Sequence, residues 1–146
     1  MIPMTDCIFC KIISNNIPSS KVHEDQICIA ILDIQPVNTG HVLIIPKEHH
    51  KLVIDYPNEI ISHIFIIAQK INKALRKTEI KCEAMNYLLA DGEIAGQEIF
   101  HTHLHIIPRY QDDGFGLRFS KRYFSEKPDR NELNKTADMI KRNLNL

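Results

Sequence analysis

Three histidines recur at every second position in a segment that has the pattern of a β-strand. They are His101, His103 and His105. The residues between them, Thr102 and Leu104, are β-branched or aliphatic. Because side chains alternate between the two faces of a strand, we expect the three imidazoles to share one face. Pro108 has no backbone N–H to donate, so the strand is expected to end there or to become an edge.

Three interpretations of this histidine pattern are open. The first is a strand with a polar, solvated face, although such a strand more usually carries Lys, Glu or Thr. In the second, histidines at i and i+2 bind one metal ion through neutral imidazole nitrogens. In the third, one imidazole is a nucleophile, and its neighbours orient it and contact an anion. The residues by themselves do not decide between the second and the third.

The segment resembles the signature of the histidine triad (HIT) family of nucleotide hydrolases and transferases. That signature is His-x-His-x-His followed by two apolar residues, usually after Gly-Gln and often before Pro-Arg, and it matches residues 96–109. The N-terminal half matches as well, through Cys7-Ile-Phe-Cys10, Leu32-Asp-Ile-Gln-Pro36 and Gly40-His-Val-Leu-Ile-Ile-Pro-Lys47. The resemblance covers residues 7 to about 120, and the N-terminal CxxC is typical of the bacterial type.

The resemblance implies an enzyme, with His103 as the nucleophile. A neutral imidazole has a lone pair at neutral pH, and it would attack the α-phosphate of an adenosine or other purine nucleotide conjugate. A nucleotidyl-histidine intermediate would then release a nucleoside monophosphate in a second step. His105, His41 and Gln97 are expected to hold the phosphoryl oxygens, and no catalytic metal is required. The activity would be that of a nucleoside phosphoramidase or a dinucleoside polyphosphate hydrolase.

Two other classes of function remain as alternatives. One is a metal-dependent hydrolase in which all three histidines of the triad bind one ion. The other is a non-catalytic nucleotide-binding module that acts in signalling. Chelators would inactivate the first, and the second would bind AMP without forming a covalent intermediate.

The resemblance also implies which residues bind the nucleotide. Ile8, Phe9 and Ile12 belong to an apolar segment, residues 8–13, that lines the purine pocket in the family. Asp33 follows a strand directly, where it would accept hydrogen bonds from the two ribose hydroxyls. Gln97, His103 and His105 would contact the phosphate.

The pair Cys7 and Cys10 forms a CxxC motif with three possible uses. It could be a redox pair, half of a zinc site, or two small core residues. A thioredoxin-like pair should follow a strand, and no strand is predicted before Cys7. The resemblance implies that His49 and His101 complete a structural zinc site with the two cysteines.

Two positions depart from the family pattern. Ala90 replaces an Asn that many members have near the phosphate, and Glu98 replaces a Ser or Thr near the leaving group. An ionised Glu98 that faces the site would repel a polyphosphate leaving group. Strict alternation back from His101, however, puts Gln97 on the histidine face and Glu98 on the other.

The chain predicts an α+β fold with an antiparallel sheet and one long central helix. We expect a short helix over residues 8–13, strands over 21–25, 27–32, 41–45 and 83–90, and the long helix over 57–76. Pro57 suits the first helical position, and His63 is expected to lie on the surface without a function. Asp129 and Glu132 predict a capping box at the start of a C-terminal helix.

Composition limits the remaining choices. The 146 residues are 44% hydrophobic and 25% charged with a formal net charge of zero, so we expect one globular HIT domain over residues 1–146. Neutral charge gives no electrostatic case for polymeric nucleic acid or for an anionic membrane. Four cysteines without a secretory signal favour the cytoplasm. The resemblance implies a homodimer.

Overall fold

Five antiparallel strands form the sheet that carries part of the triad. In the computed structural model, which describes residues 6–146, the sheet order is β1-β2-β3-β5-β4. The strands are β1 Lys21–Glu24, β2 Cys28–Leu32, β3 Val42–Pro46, β4 Ala84–Leu88 and β5 Leu104–Arg109. The four strands predicted outside the triad are each found within two residues of their expected ends. The predicted α+β class with an antiparallel sheet is confirmed.

The last strand begins later than the histidine pattern predicts. Because β5 starts at Leu104, the prediction that one strand carries all three histidines is wrong for His101 and His103. At its other end β5 continues through Pro108, but its pairing with β3 stops at Ile106. Pro108 is paired with β4 alone, so its missing N–H costs no bond to a second strand.

The long helix α2 covers one face of the sheet. It spans Asn58–Leu75, and Pro57 is the N-cap residue rather than the first helical residue, a correction of one position. Its apolar residues recur at helical spacing and pack against alternate residues of β2, β3 and β5. The buried members on the helix are Ile64, Ile67, Ala68, Ile71 and Leu75.

The short helix α1, Ile8–Ile13, covers the opposite face of the sheet. Its bounds match the helix predicted over residues 8–13. Phe9 and Ile12 are buried there in a cluster with Leu43 and Ile45 of β3. Leu43 lies directly opposite His105 in the β3–β5 register, and cross-strand partners share a face. His105 therefore lies on the α1 side of the sheet, away from α2.

Residues after Asp113 form a separate compact unit, Gly114–Leu146, and the first unit ends at Asp113. The second unit contains α3, Lys121–Ser125, and α4, Arg130–Asn143. The predicted capping box is confirmed, because the Asp129 side chain accepts from the Glu132 N–H and the Glu132 side chain accepts from Asp129. Within this unit the Phe119 and Tyr123 rings stack at 4.1 Å. A single domain over residues 1–146 stays a prediction.

Among residues 6–146, none of the helices combines the length and the apolar character that crossing a membrane requires.

Candidate active site

The segment that carries the first two histidines is held by the loop after β3 rather than by a neighbouring strand. Thr102 donates its backbone N–H to the His50 carbonyl at 2.9 Å and its hydroxyl to the Lys51 carbonyl at 3.0 Å. Tyr56 fixes the same loop, because its hydroxyl accepts from the His50 N–H at 3.0 Å and donates to the Glu48 carbonyl at 2.9 Å. These bonds replace the strand pairing that the sequence pattern predicted.

His103 is buried, and one backbone carbonyl fixes its tautomer. Its Nδ1 lies 2.7 Å from the carbonyl oxygen of His101. Because a carbonyl only accepts, Nδ1 carries the proton and donates it, which leaves the lone pair on Nε2. The ring of Phe9 packs edge-on against His103 with 4.9 Å between the ring centroids. Burial lowers the pKa of His103 below its usual value, so the ring is neutral at pH 7.

His41 and His105 form a hydrogen-bonded pair in which the proton positions are also determined. The backbone N–H of Val37 donates to His41 Nδ1 at 3.1 Å, so the proton of neutral His41 is on Nε2. That Nε2 lies 2.9 Å from His105 Nδ1 and donates to it. His105 then carries its own proton on Nε2. Burial, together with the nearby His103 and His41, lowers the pKa of His105 to about 4.

The two central histidines thus present different groups from neighbouring rings. The ring centroids of His103 and His105 are 4.8 Å apart. His103 offers a lone pair, and His105 offers an N–H donor. A pair of this kind can attack an electrophilic centre and donate a hydrogen bond to a negative oxygen on it.

The residues predicted to bind the nucleoside are near this pair to different degrees. Asp33 lies at the end of β2 with Oδ2 3.5 Å from His41 Nε2, while its Oδ1 accepts the Gln35 N–H at 2.8 Å. Phe9 contacts His103 directly, and Ile12 is buried in the same cluster as Phe9. Ile8 is 41% exposed and lines a small cavity with Cys7 and His49, and His103 does not line this cavity.

Gln97 is buried, but its amide is already engaged by the backbone. Its two amide hydrogens are donated to the carbonyls of Lys51 at 2.8 Å and Ile99 at 3.2 Å. Its oxygen accepts the N–H of Gly92 at 2.9 Å. These bonds order the loop before the triad. The predicted contact of Gln97 with a phosphate oxygen requires the release of one of them, and it stays a prediction.

Glu98 points to a different part of the surface from the two central histidines. Its side chain is exposed and lines a small cavity of about 180 Å³ together with Cys7, His49 and Ile99. His103, His105 and His41 do not line this cavity. The proposed repulsion of a leaving group by Glu98 therefore has no support from the position of this side chain.

The four predicted metal ligands come together at the edge of the site. Cys7, Cys10, His49 and His101 each bring one ligand atom within 4.8 Å of the other three. The S–N separations are 3.5 Å for Cys7–His101, 3.3 Å for Cys10–His49 and 3.7 Å for Cys10–His101, and the two Nδ1 atoms are 3.0 Å apart. Tetrahedral zinc with bonds of about 2.3 Å to sulfur and about 2.05 Å to nitrogen separates S and N by about 3.6 Å. The donor set and spacing fit zinc.

The surroundings of this cluster favour a cation. His101 donates its Nε2–H to the Pro46 carbonyl at 2.7 Å, so its Nδ1 lone pair faces the cysteines. Burial and the neighbouring Cys7 raise the pKa of the Cys10 thiol to about 11. A positive charge is needed to hold thiolate there at neutral pH. None of the four ligand atoms of this cluster belongs to His103 or His105.

One group of polar residues was missed by the sequence analysis. His63 was expected to lie on the surface without a function, but its Nε2 lies 2.7 Å from Oδ2 of Asp25. His23 Nε2 is at the same distance from the same oxygen. The His-x-Asp spacing of residues 23–25 is a weak signal for this cluster, and nothing in the sequence links it to His63, which is 38 residues further along the chain.

The sequence profile of the HIT domain matches residues 14–112. Among curated proteins, "Protein hit" of Bacillus subtilis is 45% identical over 125 residues, 85% of this chain and 86% of that protein. "Adenosine 5'-monophosphoramidase HNT1" of Saccharomyces cerevisiae is 44% identical over 111 residues, 76% of this chain and 66% of that protein. "Adenylylsulfatase HINT3" of Arabidopsis thaliana is 38% identical over 139 residues, 95% of this chain and 70% of that protein.

Solved structures show the same relationship. A HIT family member from Bacillus subtilis superposes with a TM-score of 0.85 and 42% identity, covering 97% of this chain and 99% of that chain. A Zn-bound histidine triad family protein from Mycobacterium smegmatis has a TM-score of 0.73 and 35% identity, covering 88% and 87%. With the profile match over two thirds of the sequence, these likenesses show that the chain belongs to the histidine triad (HIT) family.

Proposed function

We propose that this protein is a nucleotide hydrolase that cleaves purine nucleotide conjugates at the α-phosphate, with His103 as the nucleophile. The observation that carries the proposal is the pair of fixed tautomers at His103 and His105. A lone pair on His103 Nε2 and a proton on His105 Nε2 are the two groups that attack on phosphorus needs. The names of the yeast and Arabidopsis relatives, a monophosphoramidase and an adenylylsulfatase, support a nucleotide substrate.

The first step forms the bond between His103 Nε2 and the α-phosphorus. The bond from phosphorus to the leaving group breaks, and the leaving group takes its electron pair and then a proton from water. His103 keeps its Nδ1 proton, which the His101 carbonyl stabilises as positive charge develops on the ring. His105 donates its Nε2–H to a phosphoryl oxygen, where negative charge builds up.

The second step returns the enzyme to its starting state. A water molecule attacks the α-phosphorus, the bond to His103 Nε2 breaks, and the nucleoside monophosphate leaves with the hydroxyl of that water. The second proton of the water is released to solvent. Burial lowers the pKa of His103, which favours a neutral imidazole as the leaving group at pH 7.

His41 and Gln97 support the two reacting histidines in this proposal. His41 acts through His105 by fixing its tautomer, and Gln97 orders the loop that leads into the triad. In this proposal Asp33 would accept the ribose hydroxyls, and the apolar segment with Ile8, Phe9 and Ile12 would contact a purine base.

The Cys/His cluster is proposed as a structural zinc site. Its four ligands come from the start of α1, from the loop after β3 and from the segment before β5. A bound zinc ion would cross-link these three segments, and the reaction steps above do not involve it. The Zn-bound relative from Mycobacterium smegmatis supports this assignment.

The metal-dependent alternative meets a geometric difficulty in the triad. His101 directs Nε2 to the Pro46 carbonyl and Nδ1 to the two cysteines, so it has no nitrogen left for an ion shared with His103 and His105.

A homodimer is supported by exposed apolar side chains on α2, Phe65 and Ile66, and on the edge strand β4, Tyr87 and Leu88. Dimerisation and a cytoplasmic location both stay predictions.

The proposal is tested by trapping the covalent intermediate. Protein is mixed with an adenosine phosphoramidate that carries label in the α-phosphate, and the reaction is stopped with base, which preserves phosphorus–nitrogen bonds to histidine. We expect labelled protein from the wild type and none from His103→Ala, while AMP binding changes by no more than about 1–2 kcal/mol. His50→Ala, which removes a surface histidine, is the matched control and should retain the label. AMP release by His103→Ala near the wild-type rate would refute the assignment.

A further inference from the structure

A second group of metal-type ligands lies on the other face of the sheet, away from the active site. Asp25 is in the turn between β1 and β2, and Cys28 is the first residue of β2. His23 is on β1, and His63 is on α2. Cys28 also belongs to the apolar cluster that α2 forms with the sheet. None of these residues takes part in the proposed reaction.

The turn fixes the carboxylate of Asp25 in one orientation. Its Oδ1 accepts the backbone N–H groups of Ile27 at 2.8 Å and Cys28 at 2.9 Å. Its Oδ2 is directed toward the two histidines, with Nε2 of His23 and Nε2 of His63 each 2.7 Å away. The oxygen is therefore pre-oriented by the backbone, and two imidazole nitrogens converge on it from different elements.

The fourth group is a thiol that lies beneath the carboxylate. Cys28 Sγ is 3.9 Å from Asp25 Oδ2, and the ligand atoms of His23, Asp25 and Cys28 all lie within 4.8 Å of one another. Two imidazoles, a carboxylate and a thiol are the ligands that borderline divalent transition ions prefer. The arrangement differs from an ordinary surface ion pair, in which one histidine meets one carboxylate, as His50 does with Glu48.

To hold an ion, the hydrogen bonds to Asp25 must open, and His63, which lies outside the group of ligand atoms within 4.8 Å of one another, must move inward. Two ligands at about 2.05 Å from tetrahedral zinc are about 3.3 Å apart, so each N–O separation must open by about 0.6 Å. The histidine side chains are 36% and 28% exposed, and rotation of partly exposed rings provides this movement. Lys47 is directed to Glu24 instead, so its positive charge is paired elsewhere.

We propose that His23, Asp25 and Cys28 bind a divalent transition ion such as Zn²⁺, and that the ring of His63 rotates from Asp25 to supply the fourth ligand. Bound metal joins the β1–β2 turn to α2 and so fixes the edge of the sheet to the helix that covers it. Its effect is on stability, and the site is independent of the nucleotide hydrolase activity and of the Cys7/Cys10 cluster.

The test uses the full chain with the first cluster disabled by Cys7→Ser and Cys10→Ser. Metal-free protein is titrated with Co²⁺ and followed by visible absorption, and Zn²⁺ affinity is then measured by competition. We expect one ion per chain, and His63→Gln should weaken binding at least tenfold, which is about 1.4 kcal/mol. His50→Gln, which removes a histidine paired with one carboxylate, should leave the affinity unchanged.

A second measurement uses wild-type protein, so it does not depend on the Cys7→Ser and Cys10→Ser substitutions. Wild-type protein loaded with Zn²⁺ should contain one more equivalent than His63→Gln or His23→Gln, and Zn²⁺ should raise the Tm of the wild type more than that of either variant. The ligand role of Cys28 predicts a thiolate-to-cobalt band that Cys28→Ala removes. Equal zinc content in wild type and both variants, or an affinity that His63→Gln leaves unchanged, would overturn the site. A cobalt spectrum unaltered by Cys28→Ala would overturn the four-ligand arrangement.

Discussion

His41 provides the sharpest test of how the active-site protons are arranged. In the proposed reaction it acts through His105, because its Nε2 lies 2.9 Å from His105 Nδ1 and farther, 3.5 Å, from Asp33 Oδ2. His41→Ala removes that donor, and the proton of neutral His105 is then free to occupy either nitrogen. Only the tautomer with the proton on Nε2 can donate to the phosphoryl oxygen, so the productive fraction of the enzyme falls.

The size of the loss follows from the strength of one neutral hydrogen bond. Such a bond contributes about 0.5–1.5 kcal/mol, so kcat should fall by about 2- to 12-fold with little change in KM. Direct contact between His41 and the developing oxyanion would cost far more, about 100- to 1,000-fold, as for other oxyanion donors. The two roles are thus separated by magnitude. His41→Gln provides the conservative comparison, since an amide N–H at a similar position can donate to His105 Nδ1.

The assay is steady-state AMP release from an adenosine phosphoramidate at pH 7, well below the Tm of the least stable variant. We expect His41→Gln to recover most of the activity that His41→Ala loses. His41 is 3% exposed, so His41→Ala also leaves a cavity, and Tm is measured to show that both variants are folded. A loss above about 100-fold in both variants would mean that His41 contacts the substrate directly. Unchanged activity in His41→Ala would refute the tautomer argument.

Three further predictions concern zinc, pH and the leaving group. Replacing Cys7 and Cys10 together by Ser should lower bound zinc by one equivalent per chain and lower Tm, and unchanged zinc content would refute the site. The His105 pKa of about 4 lies below the unfolded value of about 6.5, so unfolded chains bind more protons between these values and stability falls as pH drops through that window. Urea unfolding at pH 7 and pH 4.5 should show a loss that is smaller in His105→Gln by about 2–3 kcal/mol, and equal losses would contradict the shift. Glu98→Ser should change the kcat/KM ratio of a phosphoramidate to diadenosine tetraphosphate by less than about fivefold, because an exposed charge interacts through water; a tenfold change would show that Glu98 faces the leaving group.

Local pattern was sufficient to predict most of the elements, because apolar spacing and turn residues act within a few positions of the chain. The helix over residues 8–13 and the capping box at Asp129 are examples, and both depend only on near neighbours. The ends of β5 depend on more distant residues. Thr102 bonds to the loop at His50, so the strand that alternation predicts from His101 is interrupted by a contact 52 residues away in sequence.

The two groups of potential metal ligands also combine residues that are far apart in the sequence, so local spacing could not predict them in full. Cys7 and Cys10 were identified from their own spacing, but their partners His49 and His101 were assigned only through the family resemblance. For His23, Asp25 and His63 there was no family motif to supply the missing partner. Their convergence follows from the packing of α2 on the sheet, which places His63 over a turn that begins 38 residues earlier.

The spacing of the triad histidines also leaves their chemistry open, because alternation orients a ring but does not place its proton. Each proton position is set by a different partner. The Pro46 carbonyl directs the lone pair of His101 toward the cysteines, and the His101 carbonyl directs the lone pair of His103 into the site. His105 receives its tautomer from His41, which in turn takes its own from the Val37 N–H. One repeated residue type therefore supplies a metal ligand, a nucleophile and a hydrogen-bond donor, and the backbone groups around it decide which is which.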